Sequence, residues 1–334
     1  MRIGIVLIGR NEGERLRLCL RSCSGRAWPV VYADSGSVDG SLELARSFGA
    51  ETVVLDPARP YTMARGRNAG LARLLELAPD VECVLFIDGD CELEEQFVER
   101  ASAELTAHSD VVAVFGRRRE RFRDANIYHR LADMEWNAPL GEARACAGDV
   151  LMRVHALRAA GGYDESLIAG EEAELCIHLR RAGGRILRID APMTVHDVAI
   201  SRFGQWWRRA VRSGWTYASG AWMHGAAPER HLVRKQWSAL VWGLVVPAAA
   251  VGLAWPTRGL SLLLFLGHAR LSWRVARWRR QQFGDGTADA ALYARFCVLA
   301  KLPEALGVLR FHFDRLRRRR AVLIEYKAPR SSVS

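Results

Sequence analysis

Residues 84–90 read Val-Leu-Phe-Ile-Asp-Gly-Asp. The apolar residues are typical of a buried strand, and Asp88 and Asp90 follow at its end. Residues two apart on an extended chain face the same side, and Gly89 between them permits a sharp turn. Such a carboxylate pair can bind a divalent cation, because Mg²⁺ and Mn²⁺ prefer oxygen ligands. Asp and Gly are also ordinary turn residues, so this stretch alone leaves a metal site and a plain turn open.

Strands and helices alternate on the N-terminal side of this stretch. Strands are predicted at residues 3–8, 30–33 and 52–55, with helical segments between them, and the pair Asn11 and Glu14 resembles the cap of the first helix. This alternation predicts an α/β fold with a mainly parallel sheet. Ligands of such sheets bind beyond the carboxyl ends of the strands. Asp34 ends the second strand, so we expect it to line one crevice with Asp88 and Asp90.

Several segments of the chain together resemble the inverting family 2 glycosyltransferases with the GT-A fold. The resemblance covers roughly residues 1 to 215, and six pieces in register are more specific than any one of them. It implies a Rossmann-like nucleotide-diphospho-sugar transferase fold. It also implies a metal-dependent hexosyltransferase-type reaction that inverts the configuration at the anomeric carbon. The matching pieces are Asn11-Glu12, residues 34–40 (Asp-Ser-Gly-Ser-Val-Asp-Gly), residues 65–70 (Arg-Gly-Arg-Asn-Ala-Gly), Asp88-Gly89-Asp90 as the DXD motif, residues 161–165 and residues 170–176.

The same resemblance implies a donor site for a nucleotide-diphosphate sugar, with Asp34 near the base or ribose and Arg65 or Arg67 near the diphosphate. An arginine can bind phosphate oxygens through two hydrogen bonds. Each arginine has an alternative role as a solvated surface charge, because the first 200 residues contain 25 arginines and no lysine. The predicted donor-binding residues are Asn11, Glu12, Asp34, Arg65, Arg67, Asn68, Asp88 and Gly148. The cofactor is expected to be Mg²⁺ or Mn²⁺, bound by Asp88, Asp90 and His196.

A helix predicted to begin near Glu171 contains the candidate general base. Glu172 shares one helical face with Leu175 and Leu179, whereas Glu171 is predicted to point to a more polar side. Acidic residues also favour any helix N-terminus by a few tenths to about 1 kcal/mol. The resemblance implies that Glu172 is the general base, at a position where the family usually has Asp. Such a base contributes about 10² to 10⁴ in rate.

Three further residues are assigned with an alternative. His196 is a predicted third metal ligand, although a lone histidine is more often structural. Trp136 is expected in the acceptor and sugar pocket, since the resemblance implies that the region before Gly148 contributes to it, and Glu171 is assigned to the same pocket. Ordinary packing explains Trp136 equally well.

The composition changes near residue 200. The first 200 residues hold 25 basic against 31 acidic residues, and the remaining 134 hold 23 against six. Residues 236–257 lack formal charge and are long enough to span a bilayer, with Trp237 and Trp255 near the ends as interfacial anchors. The alternatives are a membrane hairpin, helices lying on anionic lipid, or a buried helical subdomain.

The predicted domains are a GT-A catalytic domain at residues 1–215, a basic helical membrane-associated region at 216–327 and a disordered tail at 328–334. Seven cysteines without Cys-x-x-Cys pairs indicate reduced thiols, and the chain starts with a strand rather than a signal segment. We therefore expect the protein at the cytoplasmic face of a membrane.

Three functions compete at this point. The favoured one is a glycosyltransferase in cell-surface or lipid-linked glycan synthesis, with a lipid-linked or glycan acceptor and no nucleic-acid partner. A nucleotidyltransferase that forms sugar nucleotides would need a Gly-rich, Lys-containing loop after its first strand, and residues 9–12 (Gly-Arg-Asn-Glu) do not match this. A non-catalytic basic membrane or nucleic-acid binder explains the tail but leaves Asp34, Asp88, Asp90 and Glu172 without a role.

Overall fold

The computed structural model describes residues 1–317, which fall into two compact units. The first comprises Met1–Ala125 and Glu135–Val198, and the second comprises Asn126–Met134 and the chain from Ala199 onward. The predicted domain boundary at residue 215 lies inside a continuous helix, Phe203–His224. The predicted tail at 328–334 lies outside the described residues.

The first unit is built on a nine-stranded sheet with the order β3-β2-β1-β4-β8-β6-β9-β5, and β7 pairs with β9. β1, β2, β3 and β4 pair in parallel, as do β6 and β9, whereas β8, β5 and β7 pair antiparallel to their neighbours. The strands are β1 (Ile3–Gly9), β2 (Val30–Asp34), β3 (Glu51–Val54), β4 (Cys83–Asp88), β5 (Cys91–Leu93), β6 (Val111–Glu120), β7 (Gly141–Ala143), β8 (Val150–Arg153) and β9 (Arg185–His196).

Six helices accompany the sheet of the first unit. α1 buries Leu16, Cys19, Leu20 and Cys23, the face that the sequence predicts. The predicted cap at Asn11 is wrong, because Gly13 caps α1 with φ 52° and the Asn11 side chain bonds elsewhere. The helices are α1 (Glu14–Cys23), α2 (Ser41–Ser47), α3 (Met63–Leu77), α4 (Phe97–Ala107), α6 (Val154–Ala160) and α7 (Glu171–Arg181).

The register of the central strands brings the predicted acidic residues to one edge of the sheet. Ile8 of β1 lies beside Asp88 of β4, and Gly9 lies beside Asp34 of β2. Parallel strands end at the same edge, so Asp34 and Asp88 flank the end of β1. On the other half of the sheet, His196 of β9 pairs with Cys91 of β5. This pairing places the end of β9 next to β5, which begins three residues after Asp88.

The second unit is helical. α9 continues through a π-helical turn (Val241–Val245) into α10, and a 3₁₀ segment (Leu260–Phe265) leads into α11. The segment from α9 to α10 and the segment that ends in α11 form the two arms of a hairpin. Between these arms the His268 ring nitrogen Nε2 lies 2.8 Å from the Trp242 carbonyl oxygen. The helices are α5 (Ile127–Glu135), α8 (Phe203–His224), α9 (Val233–Leu240), α10 (Val246–Gly252), α11 (Leu266–Phe283), α12 (Thr287–Leu299) and α13 (Lys301–Leu316).

The structure does not support a transmembrane span at residues 236–257, one of the arrangements that the sequence left open. Within residues 1–317, no helix combines the length and the apolar character needed to cross a bilayer. α10 ends at Gly252, inside the predicted span.

Candidate active site

Asp88 lies between two arginines at the end of β4. Its Oδ1 is 3.0 Å from Arg67 Nη2, and its Oδ2 is 3.1 Å from Arg118 Nη2. Burial by itself would raise the pKa of Asp88, but Arg118 and Arg67 together lower it below its usual value. Asp88 is therefore a carboxylate whose two oxygens already hold charge-assisted hydrogen bonds.

Gly148 makes this arrangement possible. A Cβ at position 148 would lie 2.4 Å from Arg67 Nη2 and 3.0 Å from each carboxylate oxygen of Asp88. Only glycine leaves this space open, so the predicted role of Gly148 at the donor site has a steric basis.

Arg67 also binds two carboxylates of α7. Its Nη1 lies 2.9 Å from Glu171 Oε1 and 3.2 Å from Glu172 Oε1. The prediction that Glu171 points away is wrong, since its side chain is only 1% exposed. The first turn of α7 follows Gly170, and the long arginine side chain reaches both of its leading carboxylates. The prediction failed because helical periodicity considers only the residues of α7 and cannot show that Arg67 of α3 binds Glu171.

Glu172 is more exposed than Glu171, and its pKa is raised. Its side chain is 18% exposed, so a molecule bound at this edge of the sheet can contact it. Burial and the neighbouring Glu171 raise the pKa of Glu172 to about 7, although Arg67 opposes this shift. A carboxylate with a pKa near neutrality is suited to accept a proton under physiological conditions.

Asp90 and His196 form a second cluster on the other side of Asp88. Asp90 Oδ2 lies 3.2 Å from His196 Nε2, and both side chains are buried. Cys91 completes a group of three potential metal ligands with them. The His196 ring also contacts Trp136, with ring centroids 4.7 Å apart. The structure thus brings Asp90, His196 and Trp136 together.

These residues fit a divalent cation. Asp90 offers a carboxylate oxygen and His196 an imidazole nitrogen, and both are ligand types that Mn²⁺ accepts. His196 Nδ1 is buried without a hydrogen bond and lies 3.9 Å from Glu120 Oε2, so a carboxylate lies near the ring nitrogen that a cation on Nε2 would leave free. Asp88 is less suited, because arginines occupy both of its oxygens.

Asp34 and Asn11 shape the loop at the end of β2. The buried Asp34 carboxylate accepts hydrogen bonds from the backbone N–H groups of Gly36 (2.9 Å) and Ser37 (2.7 Å). Asn11 Oδ1 accepts one from Val38 N at 2.8 Å. Both side chains therefore hold residues 34–38 against the end of β1.

Three other predicted donor residues form hydrogen bonds or ion pairs with other parts of the protein. Arg65 donates hydrogen bonds to the carbonyl oxygens of Asp56, Arg59 and Pro60, so its guanidinium stabilises a loop and does not reach Asp88. Asn68 exchanges hydrogen bonds with the backbone of Tyr163. Glu12 pairs with Arg15 at 2.6 Å.

Arg118 and Asp149 belong to the cluster although sequence analysis did not select them. Asp149 Oδ2 lies 2.8 Å from Arg118 Nη2, and Asp149 Oδ1 accepts a hydrogen bond from Asp88 N at 3.0 Å. Arg118 stands within three consecutive arginines on β6, which looked like surface charge. The sequence holds one weak signal, namely that Asp149 directly follows Gly148.

Comparison with known proteins shows which family the segment that carries this site resembles. Residues 5–160 match the family described as "Glycosyl transferase family 2". This segment is somewhat less than half of the 334-residue chain, and it is similar to that family, as the sequence resemblance predicts. The matched segment includes Arg67, Asp88 and Gly148.

Two curated relatives show the extent of the similarity. The succinoglycan biosynthesis protein ExoA of Rhizobium meliloti is 30% identical over 196 residues, which are 55% of this chain and 57% of that protein. The glycosyltransferase AglE of Haloferax volcanii is 28% identical over 108 residues, 29% of this chain and 33% of that protein. The matched regions thus span between about a third and three fifths of these relatives.

Solved structures show the same fold. The mannosyltransferase PcManGT of Pyrobaculum calidifontis superimposes with a TM-score of 0.62 over 94% of this chain and 87% of that chain, at 18% identity. Residues 1–349 of S. aureus TarS give a TM-score of 0.51 over 93% of this chain and 91% of that chain, at 13% identity. An α/β fold of the GT-A type is therefore confirmed.

Proposed function

We propose that this protein transfers a sugar from a nucleotide-diphosphate donor to an acceptor hydroxyl with inversion of configuration. The observation that carries the proposal is the position of Glu172. This partly exposed carboxylate has a pKa of about 7 and shares Arg67 with Asp88. ExoA and AglE are similar to the family segment, and PcManGT was solved with GDP-Man and Mn²⁺.

In this mechanism Glu172 is the general base. Its ionised carboxylate accepts the proton of the acceptor hydroxyl, and the resulting oxygen nucleophile attacks the anomeric carbon opposite the leaving group. Trp136 and Glu171 belong to the acceptor and sugar pocket in this proposal. Glu171, which is buried and bonded to Arg67, fixes the arginine rather than taking part in proton transfer.

The donor end comprises the arginine cluster and the loop after β2. In this proposal Arg67 lies near the diphosphate and orients Asp88 and the carboxylates of α7, whereas Asp34, Asn11 and the other donor residues keep the surrounding loops in place. Asp90 and His196 would hold Mg²⁺ or Mn²⁺, with Asp88 beside them. When bound, the cation stabilises the negative charge of the departing nucleoside diphosphate.

We further propose that the second unit binds an anionic membrane surface, which places the enzyme at its cytoplasmic face and favours a lipid-linked acceptor. The tip of the α9–α11 hairpin exposes large apolar side chains, and Trp255 alone is 93% exposed. Exposed arginines follow on one face of α11, at Arg270, Arg274 and Arg277. Apolar side chains beside basic ones are typical of helices that lie in the membrane interface.

Calorimetric titration with UDP, GDP and dTDP, with and without Mn²⁺, tests the donor site. We expect one nucleotide to bind in a metal-dependent manner, and Asp90→Ala to lose this binding. Asp190→Ala is the matched control, because Asp190 is an exposed carboxylate on β9. Absence of binding by the wild-type protein to all three nucleotides would refute the proposal.

A further inference from the structure

Asp149 is a carboxylate with hydrogen bonds to both of its oxygens. It is completely buried, and a buried carboxylate is costly unless hydrogen bonds compensate it. Asp149 Oδ1 accepts from Asp88 N at 3.0 Å, and Oδ2 accepts from Arg118 Nε at 3.0 Å and Thr194 Oγ1 at 2.6 Å. These contacts tie the end of β4 to β6 and β9.

Arg118 is held in one orientation by these contacts. Its Nη2 lies between two carboxylates, 2.8 Å from Asp149 Oδ2 and 3.1 Å from Asp88 Oδ2. The guanidinium also lies over the Trp136 ring, 5.7 Å from the centroid. A planar guanidinium held on one edge by Asp149 presents the shared nitrogen to Asp88 in a fixed direction.

We propose that Asp149 is a positioning residue for the metal end of the donor site. It fixes the backbone of Asp88 and the guanidinium of Arg118, so that Asp88 stays turned toward the arginines while Asp90 and His196 remain available to a cation. Asp149 also offsets the positive charge of Arg118, which would otherwise repel a divalent cation. This inference rests on the proposed function only in that the site binds a metal.

Mn²⁺ titration, followed by the electron paramagnetic resonance signal of free Mn²⁺, tests the inference without any substrate. Asp149→Asn keeps the shape of the side chain but removes its charge and weakens its hold on Arg118. We expect its dissociation constant for Mn²⁺ to rise at least fivefold. Arg153→Gln is the matched control, since Arg153 lies on the same strand segment and donates to the Val111 carbonyl oxygen instead. It should lose stability but bind Mn²⁺ like the wild type.

A folded Asp149→Asn variant with wild-type Mn²⁺ affinity would overturn the inference. If this variant does not fold, Thr194→Val and Arg118→Lys decide, because each removes part of the same network and retains the local charge. Weaker Mn²⁺ binding in both supports the positioning role, and unchanged binding in both refutes it. A wild-type protein that binds neither Mn²⁺ nor a nucleotide would instead remove the proposed function, and the inference with it.

Discussion

Arg67 Nη2 lies 3.0 Å from Asp88 Oδ1, so a helix and a strand meet through one ion pair at the edge of the sheet. The other terminal nitrogen of the same guanidinium binds Glu171 and Glu172. Arg67 is only 1% exposed. One buried arginine therefore links the strand end that carries Asp88 to the helix that carries the proposed base.

Arg67→Gln should destabilise the protein by about 3 to 5 kcal/mol, because it leaves the buried Glu171 without its cation and Asp88 with only one of its two arginines. Urea unfolding measures this loss. Arg73→Gln is the control, since Arg73 forms exposed pairs with Glu51 and Glu76, which are worth less than about 1 kcal/mol each. Equal losses in the two variants would contradict the assigned role of Arg67.

Glu172→Gln should reduce sugar transfer at least about 100-fold, the lower end of the contribution of a placed general base. Nucleotide binding should remain within about twofold, because the glutamine side chain has the same shape as that of glutamate. Glu172→Asp should retain measurable transfer, since it keeps the carboxylate. Transfer by Glu172→Gln at the wild-type rate would refute the assignment.

The stability of the folded protein should depend on the titration of Glu172. Its pKa is about 7 when folded, against an ordinary value of 4.5, so the folded state holds a proton that the unfolded state has lost. The contribution of Glu172 to stability therefore falls as the pH rises from about 4.5 to about 7. Transfer should rise over the upper part of this range, because only the ionised carboxylate accepts a proton.

Unfolding by urea at pH 5, 6, 7 and 8 checks this linkage. The unfolding free energy of Glu172→Gln minus that of the wild type should increase with pH up to about pH 7 and then level off. A difference that does not change with pH would show that Glu172 titrates at its ordinary value.

Gly148→Ala should disrupt the Arg67–Asp88 pair. The new Cβ would lie 2.4 Å from Arg67 Nη2, and overpacking of this kind costs about 1 to 3 kcal/mol. Thermal unfolding and nucleotide titration should both detect it. Gly204→Ala is the control, because no atom lies within 4 Å of a Cβ there, and its stability should equal or exceed that of the wild type.

The apolar hairpin tip should bind vesicles that contain anionic lipid. Trp255→Ser combined with Leu260→Ser should weaken this binding at least tenfold, since burial of each side chain contributes about 1.5 to 3 kcal/mol. Sedimentation with vesicles of phosphatidylcholine and phosphatidylglycerol measures the binding. Val38→Ser combined with Leu140→Ser is the control, because both are exposed apolar residues of the first unit.

Equal binding by the Trp255→Ser/Leu260→Ser variant and by the control would contradict a membrane role for the tip. Loss of binding by the Arg270→Gln/Arg274→Gln variant would show the electrostatic contribution to vesicle binding separately from the apolar one. Vesicles of phosphatidylcholine alone should bind the wild type more weakly.

Local pattern predicted the main elements of the first unit. The first strand was predicted at residues 3–8 and runs from Ile3 to Gly9, because a continuous apolar run can be buried on both faces of a parallel sheet. The buried face of α1 follows from 3.6-residue periodicity. The cap of α1 was predicted wrongly, because the Asn11 side chain binds Val38 N, 27 residues further along the chain.

The sequence by itself determined the α/β alternation, the resemblance to family 2 glycosyltransferases and the strand ends that carry Asp34, Asp88 and Asp90, because these depend on periodicity and on short motifs. Only the tertiary structure decided which charges meet. Arg67 binds Asp88, Glu171 and Glu172, whereas the neighbouring Arg65 binds loop carbonyls. Arg118 and Asp149 enter the site through pairing between distant strands. Ion pairs between remote residues depend on how the elements pack, and no local pattern records this.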